Sequence, residues 1–406
     1  MGGYVHKPVR WNREAKALWT AGQRDAAVKS CLEALDADPA PIADAFIQPG
    51  YYLFQMERFD VGTKVLESGL EKFPDHPMIL LSLGSSYSRW RKHRQAIPIL
   101  ERFLALGIVD ASAFDALAMS CSFTGDTIRA RIFGSMALNE KDKLTKDRHG
   151  SPKLNPPGDA ASRRKIIAFS LFGSHPRYLR GALQNVLVAR DLYPGWTCRF
   201  TVDDSVDPAF LAVMAEEGAE IVRDESGDDD VRHRLCRRFL VADDPEVGYY
   251  MVRDCDSVVS PREAAAVAEW LASGLPFHAM RDWYTHTDPM LAGLWGGIAG
   301  VFPDMAGAIA AFRKATPLNT NWDQFFLRDQ VWPAIRDDVM VHDRYFTTHR
   351  ALPFPTPSPG GVVHVGQNEY ATVFAEQAAA LMDYAERIPA LGIGAKPTSL
   401  VFRTEL

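Results

Sequence analysis

A chain of 406 residues has room for two or three domains, and 47% hydrophobic with 24% charged residues is the composition of an ordinary globular protein. A net charge of -6 with no basic run argues against nucleic acid as a partner. The five cysteines, Cys31, Cys121, Cys198, Cys236 and Cys255, are scattered and form no C-x-x-C pair, which fits reduced thiols in a cytoplasm rather than a disulfide framework or a zinc site. The stretch from Met1 to Arg13 is polar and lacks the apolar core of a signal peptide. No apolar run is long enough to span a bilayer. The expected localisation is cytoplasmic, with any membrane role peripheral to the inner face.

The first third carries a repeat. Small residues recur at Ala27, Gly62, Ala96 and Ala130, Gly50 is matched by Gly84, and Pro39 by Pro74, all at spacings of about 34 residues. Small side chains let paired helices approach closely. Apolar residues at helical spacing, such as Ala96, Ile97, Ile99, Leu100, Phe103 and Leu104, would cover the seams between units. The stretch Leu83-Gly84-Ser85-Ser86-Tyr87 matches the L-G-x-x-Y signature of tetratricopeptide (TPR) repeats. This predicts an N-terminal TPR-like α-solenoid over 1–141, with about four helix pairs from Trp11 to Lys141. Such a solenoid implies a protein partner, or else a surface for stacking or dimerisation.

Residues 142–163 read as a linker, charged and then rich in Pro, Gly and Ser. The second domain, 164–406, changes character. Lys165 to Gly173 reads as a buried strand ending in a Gly turn, followed by a helix from Arg177 to about Asp191. Trp196 to Val202 is a second strand ending at Asp203-Asp204. Pro208 to Glu217 is a helix, Ala219 to Val222 a short strand, Val231 to Val241 a basic helix, and Tyr249 to Val252 a fourth strand. Strands alternating with helices predict a mostly parallel, Rossmann-like sheet with ligands at the carboxyl ends of its strands.

The fourth strand runs into Arg253-Asp254-Cys255-Asp256-Ser257, and Ser260-Pro261-Arg262-Glu263 then starts a helix. Strand alternation would turn Asp254 and Asp256 to one face. Two such carboxylates need a counter-charge, and a divalent cation is the usual one. A solvated Asp pair at a strand end is the alternative.

These residues carry a resemblance. The order of elements from Lys165 to Ser257, with D-x-D closing the fourth strand, resembles nucleotide-sugar transferases of the GT-A fold. Arg253 to Ser257, Arg262-Glu263, Glu269-Trp270-Leu271, Phe277 to Asp282 and Leu294-Trp295-Gly296-Gly297 are similar to a bacterial family of such transferase-like domains. The resemblance implies a glycosyltransferase that moves a sugar from a UDP- or GDP-sugar to a glycan or protein acceptor, with polysaccharide biosynthesis as the family association. It implies a Mn²⁺ or Mg²⁺ ion on the donor diphosphate, held by Asp254, Asp256 and His364. Ser170, Gly173, Asp203, Asp204, Arg234, Arg238, Asp254 and Arg281 are implied on the donor side. Trp283, His286, Trp295 and Gly296 are implied on the sugar or acceptor side, and Asp323 or Asp282 as catalytic carboxylate.

The residues leave alternatives open. His364 and the tryptophans also fit a core, Arg281-Asp282 also fits a surface ion pair, and Asp323 also fits the acidic first turn of a helix N-capped by Asn321. Two other functions compete. One is a TPR scaffold whose transferase-like domain is inactive. The other is a haloacid-dehalogenase-like phosphatase, whose D-x-D ends the first strand of its domain, whereas here three strands precede it.

Overall fold

The computed structural model describes residues 8–146, 152–316, 321–361, 363–367 and 381–393. Linker residues 147–151 and the end of the second domain past 393 lie outside that set. The chain divides into two compact units, one formed by Met1–Leu144 with Tyr284–Asp288, the other by Thr145–Trp283 with Pro289–Leu406.

The first unit is a helical repeat region built of helix pairs. Its helices are α1 (Arg13–Thr20), α2 (Arg24–Ala37), α3 (Asp44–Gln55), α4 (Phe59–Lys72), α5 (Pro77–Arg89), α6 (His93–Ala105), α7 (Ala111–Phe123) and α8 (Thr127–Lys146). The small residues of the repeat sit where neighbouring helices touch. A Cβ on Gly84 would stand 2.5 Å from Leu100, and one on Gly50 2.8 Å from Leu66. Pro39 and Pro74 lie in the connections between pairs. The turn inside each pair holds one residue with positive φ: Gly22, Glu57, Arg91 and Gly125. That element of the repeat is invisible as composition, because only two of the four are glycine.

A buried ion cluster also belongs to this unit. Lys141 Nζ lies 2.8 Å from Asp115 and 3.1 Å from Asp288, and donates to the Thr287 carbonyl at 3.0 Å. Burial pushes the Asp115 carboxyl up to about 6 against the pull of Lys141. The segment Tyr284–Asp288 is thereby gripped by α7 and α8.

The second unit is a mixed sheet covered on both faces. Its strands are β1 (Arg164–Leu171), β2 (Trp196–Val202), β3 (Glu220–Arg223), β4 (Val247–Arg253), β5 (Phe277–Arg281), β6 (Leu294–Ile298) and β7 (Val339–Asp343). They lie in the order β3-β2-β1-β4-β6-β5-β7, parallel except for β6, which runs antiparallel to β4 and β5. Alternate residues of β1 feed two separate cores, Ile166 and Ala168 one, Ile167, Phe169 and Leu171 the other. The crossovers include α9 (Pro176–Leu192), α10 (Pro208–Glu216), α11 (Val231–Cys236) and α12 (Pro261–Ser273), with α13 (Met305–Ala315), α14 (Trp322–Phe326) and α15 (Trp332–Ile335) later.

Two expectations are corrected here. The basic helix expected to reach Val241 stops at Cys236 and continues as a 3₁₀ helix, Arg237–Asp243. The stretch read as linker is narrower: α8 runs to Lys146, and Asn155 pairs with the Val301 and Gly300 carbonyls. Gly248 accommodates the same incoming stretch, since a Cβ there would stand 2.0 Å from the carbonyl oxygen of Ala160.

Candidate functional site

In the strand order, β2 lies on one side of β1 and β4 on the other, so the β1–β4 seam is the switch point of the sheet, where such folds bind ligands. Ser170 and Asp254 stand at its carboxyl end. β4 ends at Arg253, and Asp254 to Ser257 form a turn closed by the Ser257 N–H on the Asp254 carbonyl at 3.1 Å. The alternation argument therefore fails: the pair is presented by a turn, and its two carboxylates meet different partners.

α9 builds that turn from below. Gly181 is pressed so tightly to it that a Cβ would lie 2.1 Å from the Cys255 carbonyl oxygen. Buried Asn185 donates to the carbonyls of Cys255 (3.4 Å) and Ser257 (3.1 Å) and accepts from the Val259 N–H at 3.0 Å. The Cys255 thiol donates to the Ser170 carbonyl at 3.1 Å, tying the turn to β1.

Three carboxylates and two guanidiniums gather above. Arg238 is buried and bridges Asp254 (2.7 Å) and Asp323 (3.2 Å). Its backbone N–H is fixed on the Ser170 hydroxyl at 2.9 Å. Asp256 pairs with Arg177, in the first turn of α9. Asp254 is about half exposed, and a Cβ on Gly293 would collide with its carboxylate. Burial, reinforced by the charge of Asp254, raises the Asp256 carboxyl above its ordinary value although Arg177 opposes it. Burial raises Asp323 as well, with Arg238 opposing and Asp254 adding. Among the described residues no group of three His, Cys, Asp or Glu side chains is arranged to hold a metal alone. Asp254 and Asp256 are the side chains that could hold a divalent cation. A pair of carboxylates fits Mg²⁺ or Mn²⁺, which takes its other ligands from phosphate and water.

Other expected residues fall beside this cluster. The Gly173 N–H donates to Ser205 Oγ at 2.7 Å, and that hydroxyl donates to Asp203. Asp203 also meets Arg237 (2.9 Å) and Arg234 (3.2 Å). Arg234 and Arg238 do not act together as one helical face would require, because the change to 3₁₀ winding between them separates their directions. Asp204 is fully exposed beside Arg223.

Burial overturns two of the four sugar-side expectations, Trp295 and Gly296, and with them Arg281 and Asp282. Trp295 is fully buried, edge-on to Phe239 and Tyr250. Gly296 lies between strands, with room for a Cβ closed by the Tyr250 carbonyl oxygen at 2.4 Å, so no ligand reaches it. Arg281 is fully buried on Asp343 at 2.5 Å and on the Pro289 carbonyl at 3.1 Å, and is not available to a phosphate. Asp282 is fully buried; its two oxygens accept from Arg262 at 3.0 Å, and one also from the Val365 N–H at 2.9 Å. That bonding makes it a structural anchor for the His364 segment rather than a base. His364 stacks on Trp283 with ring centroids 4.7 Å apart, so each ring occupies a face of the other. His286 lies in Tyr284–Asp288, which groups with the helical unit. Asn321 makes no side-chain cap on α14, whereas the Gln324 side chain binds the Met290 carbonyl and the Ala292 N–H.

Sequence reasoning missed Arg177, Gly181 and Asn185. The available signal was position: all three lie in the first ten residues of the helix after the β1 turn, the helix whose start faces the carboxyl edge of a parallel sheet.

No family model matches the chain, and no curated protein sequence matches it. Solved structures give partial likenesses. MamA from Desulfovibrio magneticus RS-1 aligns at 17% identity over 33% of this chain and 77% of its own, with a TM-score of 0.30. A thermophilic TPR protein of Thermus thermophilus aligns at 14% identity over 33% of this chain and 75% of its own, TM-score 0.28. A mutant O-GlcNAc transferase of Thermobaculum terrenum aligns at 18% identity over 59% of this chain, TM-score 0.36, and the chain spans only 44% of that protein's length.

Proposed function

We propose that the protein is a metal-assisted glycosyltransferase of the GT-A type, using a nucleotide-sugar donor, whose helical repeats recruit the acceptor or a partner protein. The observation that carries this reading is the gathering of Asp254 and Asp323 on Arg238, beside Asp256 with Arg177, at the switch point of the sheet. A divalent ion on Asp254 and Asp256 would supply a Lewis acid for the departing diphosphate. Arg238 holds Asp254 and Asp323 in place. Ser170 positions Arg238 through its backbone. Asp323 is the carboxylate best placed to take a proton from an acceptor hydroxyl, since Asp282 is fully committed elsewhere. UDP- and GDP-sugars, and glycan or protein acceptors, are the proposed substrate classes.

The test is Asp256→Ala. Loss of one of the two carboxylates weakens the hold on a cation at a diphosphate, so Mn²⁺-dependent binding of UDP or GDP in a thermal-shift panel of nucleotides and nucleotide sugars should fall sharply while the metal-free melting temperature holds. Full Mn²⁺-dependent binding by the variant refutes the reading. A non-catalytic scaffold is the second reading, and the pairing of Asp256 with Arg177 and of Asp254 with Arg238 favours it. Mn²⁺-dependent hydrolysis of a nucleotide sugar decides between them.

A further inference from the structure

One cluster of titratable side chains in the second unit stands apart from the carboxylates of the candidate site. His278 on β5 and His342 on β7 are both enclosed, and their rings meet at 2.8 Å, Nε2 of His278 to Nδ1 of His342. The strands run parallel, with His278 opposite Met340 and Met280 opposite His342, so the two histidines are diagonal neighbours on one face of the sheet. α12 meets them on that face. Trp270 lies flat on His278 with ring centroids 5.4 Å apart, and Glu269, 43% exposed, meets Nε2 of His342 at 3.3 Å. A hydrogen-bonded chain thus runs from a carboxylate in contact with water to a fully buried imidazole.

Four ring nitrogens carry two protons when both rings are neutral. The contact between the rings needs one of these protons, and only one. A third proton leaves that contact intact but puts a positive charge on an enclosed pair, with Glu269 as the carboxylate it touches. A fourth sets two N–H groups against each other and breaks the contact. The surroundings oppose even the third. Burial pushes the His278 imidazole far down, and the second ring and Arg253 on β4 add to this. Burial also lowers His342; Glu269 opposes, and Arg262 on α12 adds. Arg253 and Arg262 are themselves paired, with Glu263 and Asp282, and Arg281 pairs with Asp343 on the same two strands.

We propose that His278, His342 and Glu269 form an acid-sensitive latch on the β5–β7 seam, which holds β7 while the two rings share a single proton and loosens when the pair takes up more. β7 stands at the end of the strand order, so β5 is its one neighbouring strand among the described elements. It ends at Asp343, whose oxygens hold Arg281 and the N–H groups of Tyr345 and Phe346, so the latch and that turn share one strand. Both rings titrate lower in the closed seam than the ordinary imidazole value of about 6.5. The latch therefore contributes its full stability above that pH and loses it as the pH falls toward the closed-state values, because an opened seam binds protons that the closed one refuses. None of this depends on the proposed function.

Hydrogen–deuterium exchange of the full chain, at about pH 7.5 and about pH 5.5 and corrected for intrinsic exchange rates, reads the opening of β7. Protection of the β7 amides should fall by about tenfold or more in wild type, the effect of an imidazole one unit below its ordinary value. His278→Phe keeps the stack on Trp270, and His342→Gln keeps a donor toward Glu269 and an acceptor toward His278. Each should show a smaller fall, and the double variant should lose most of it. Glu269→Gln removes the charge that helps the closed seam hold a proton, so its protection should fall further than wild type by about pH 5. That variant changes a half-exposed side chain, and it serves if the melting temperature at the higher pH shows that neither histidine variant folds. Unchanged protection in wild type, or a fall of the same size in wild type and every variant, overturns the latch.

Discussion

At the scale of single residues, Asp282 and Asp323 show how burial and bonding separate two carboxylates that look interchangeable in sequence. Asp282 is fully enclosed, with Arg262 across both oxygens and the Val365 N–H on one of them. Asp323, also buried, has Arg238 on one oxygen and its neighbour's N–H on the other, beside the half-exposed Asp254. Their asparagine variants should therefore fail differently. Asp282→Asn should lose about 3 kcal/mol of stability, seen as a lower melting temperature, because it leaves the largely enclosed Arg262 without its counter-charge. Asp323→Asn should keep its melting temperature and its donor affinity but lose ~10²–10⁴-fold in turnover, the usual worth of a positioned base. The product should then have inverted anomeric configuration. Near-normal turnover in Asp323→Asn, or a retained configuration, removes Asp323 from the catalytic role.

At the scale of elements, the packing of α9 under the Asp254–Ser257 turn decides where the carboxylates stand. The helix approaches so closely at Gly181 that a single methyl group would overlap a backbone carbonyl. Backbone, unlike a side-chain tip, does not yield by rotation, so Gly181→Ala should push the turn away from β1 and cost about 1–3 kcal/mol as an overpacked contact. Mn²⁺-dependent UDP binding should weaken in the same variant although no liganding group has changed. A variant with wild-type melting temperature and binding would show that the contact at Gly181 does not position the site. The helical repeat offers a contrast. Its small residues were legible because their spacing near 34 residues recurs, and they fall at the helix contacts that the spacing implies. Its positive-φ turns were not, because Glu57 and Arg91 take the conformation held elsewhere by Gly22 and Gly125.

At the scale of the molecule, the question is where the second unit begins. Composition puts the break in a Pro, Gly and Ser-rich stretch, yet Asn155 and Ala160 are fastened to the second unit. A fragment starting at residue 152 should therefore melt higher than one starting at 164, which lacks the Asn155 hydrogen bonds and exposes the surface at Gly248. Mn²⁺-dependent UDP binding should survive in the longer fragment, since the carboxylate cluster lies wholly within this unit. Equal melting temperatures would mean that residues 152–163 contribute nothing to the fold. Loss of binding in a folded 152 fragment would mean that the helical unit helps build the site. Among the described residues no helix is long and apolar enough to cross a membrane.

Sequence alone determined the features that repeat along the chain over short distances. These are helix pairs at a spacing of about 34, strands separated by helices, and a D-x-D at the end of the fourth strand. Each is a local periodicity or a local junction, and local backbone preference is strong enough to specify it. Tertiary structure alone decided the pairings. Arg177 meets Asp256 across 79 residues, and Arg238 meets Asp323 across 85. It also decided that Trp295, Arg281 and Asp282 belong to the interior. A side chain's type is the same in a core, a surface pair or a site. Only the atoms that close around it determine whether its charge is spent on the fold or left for a ligand.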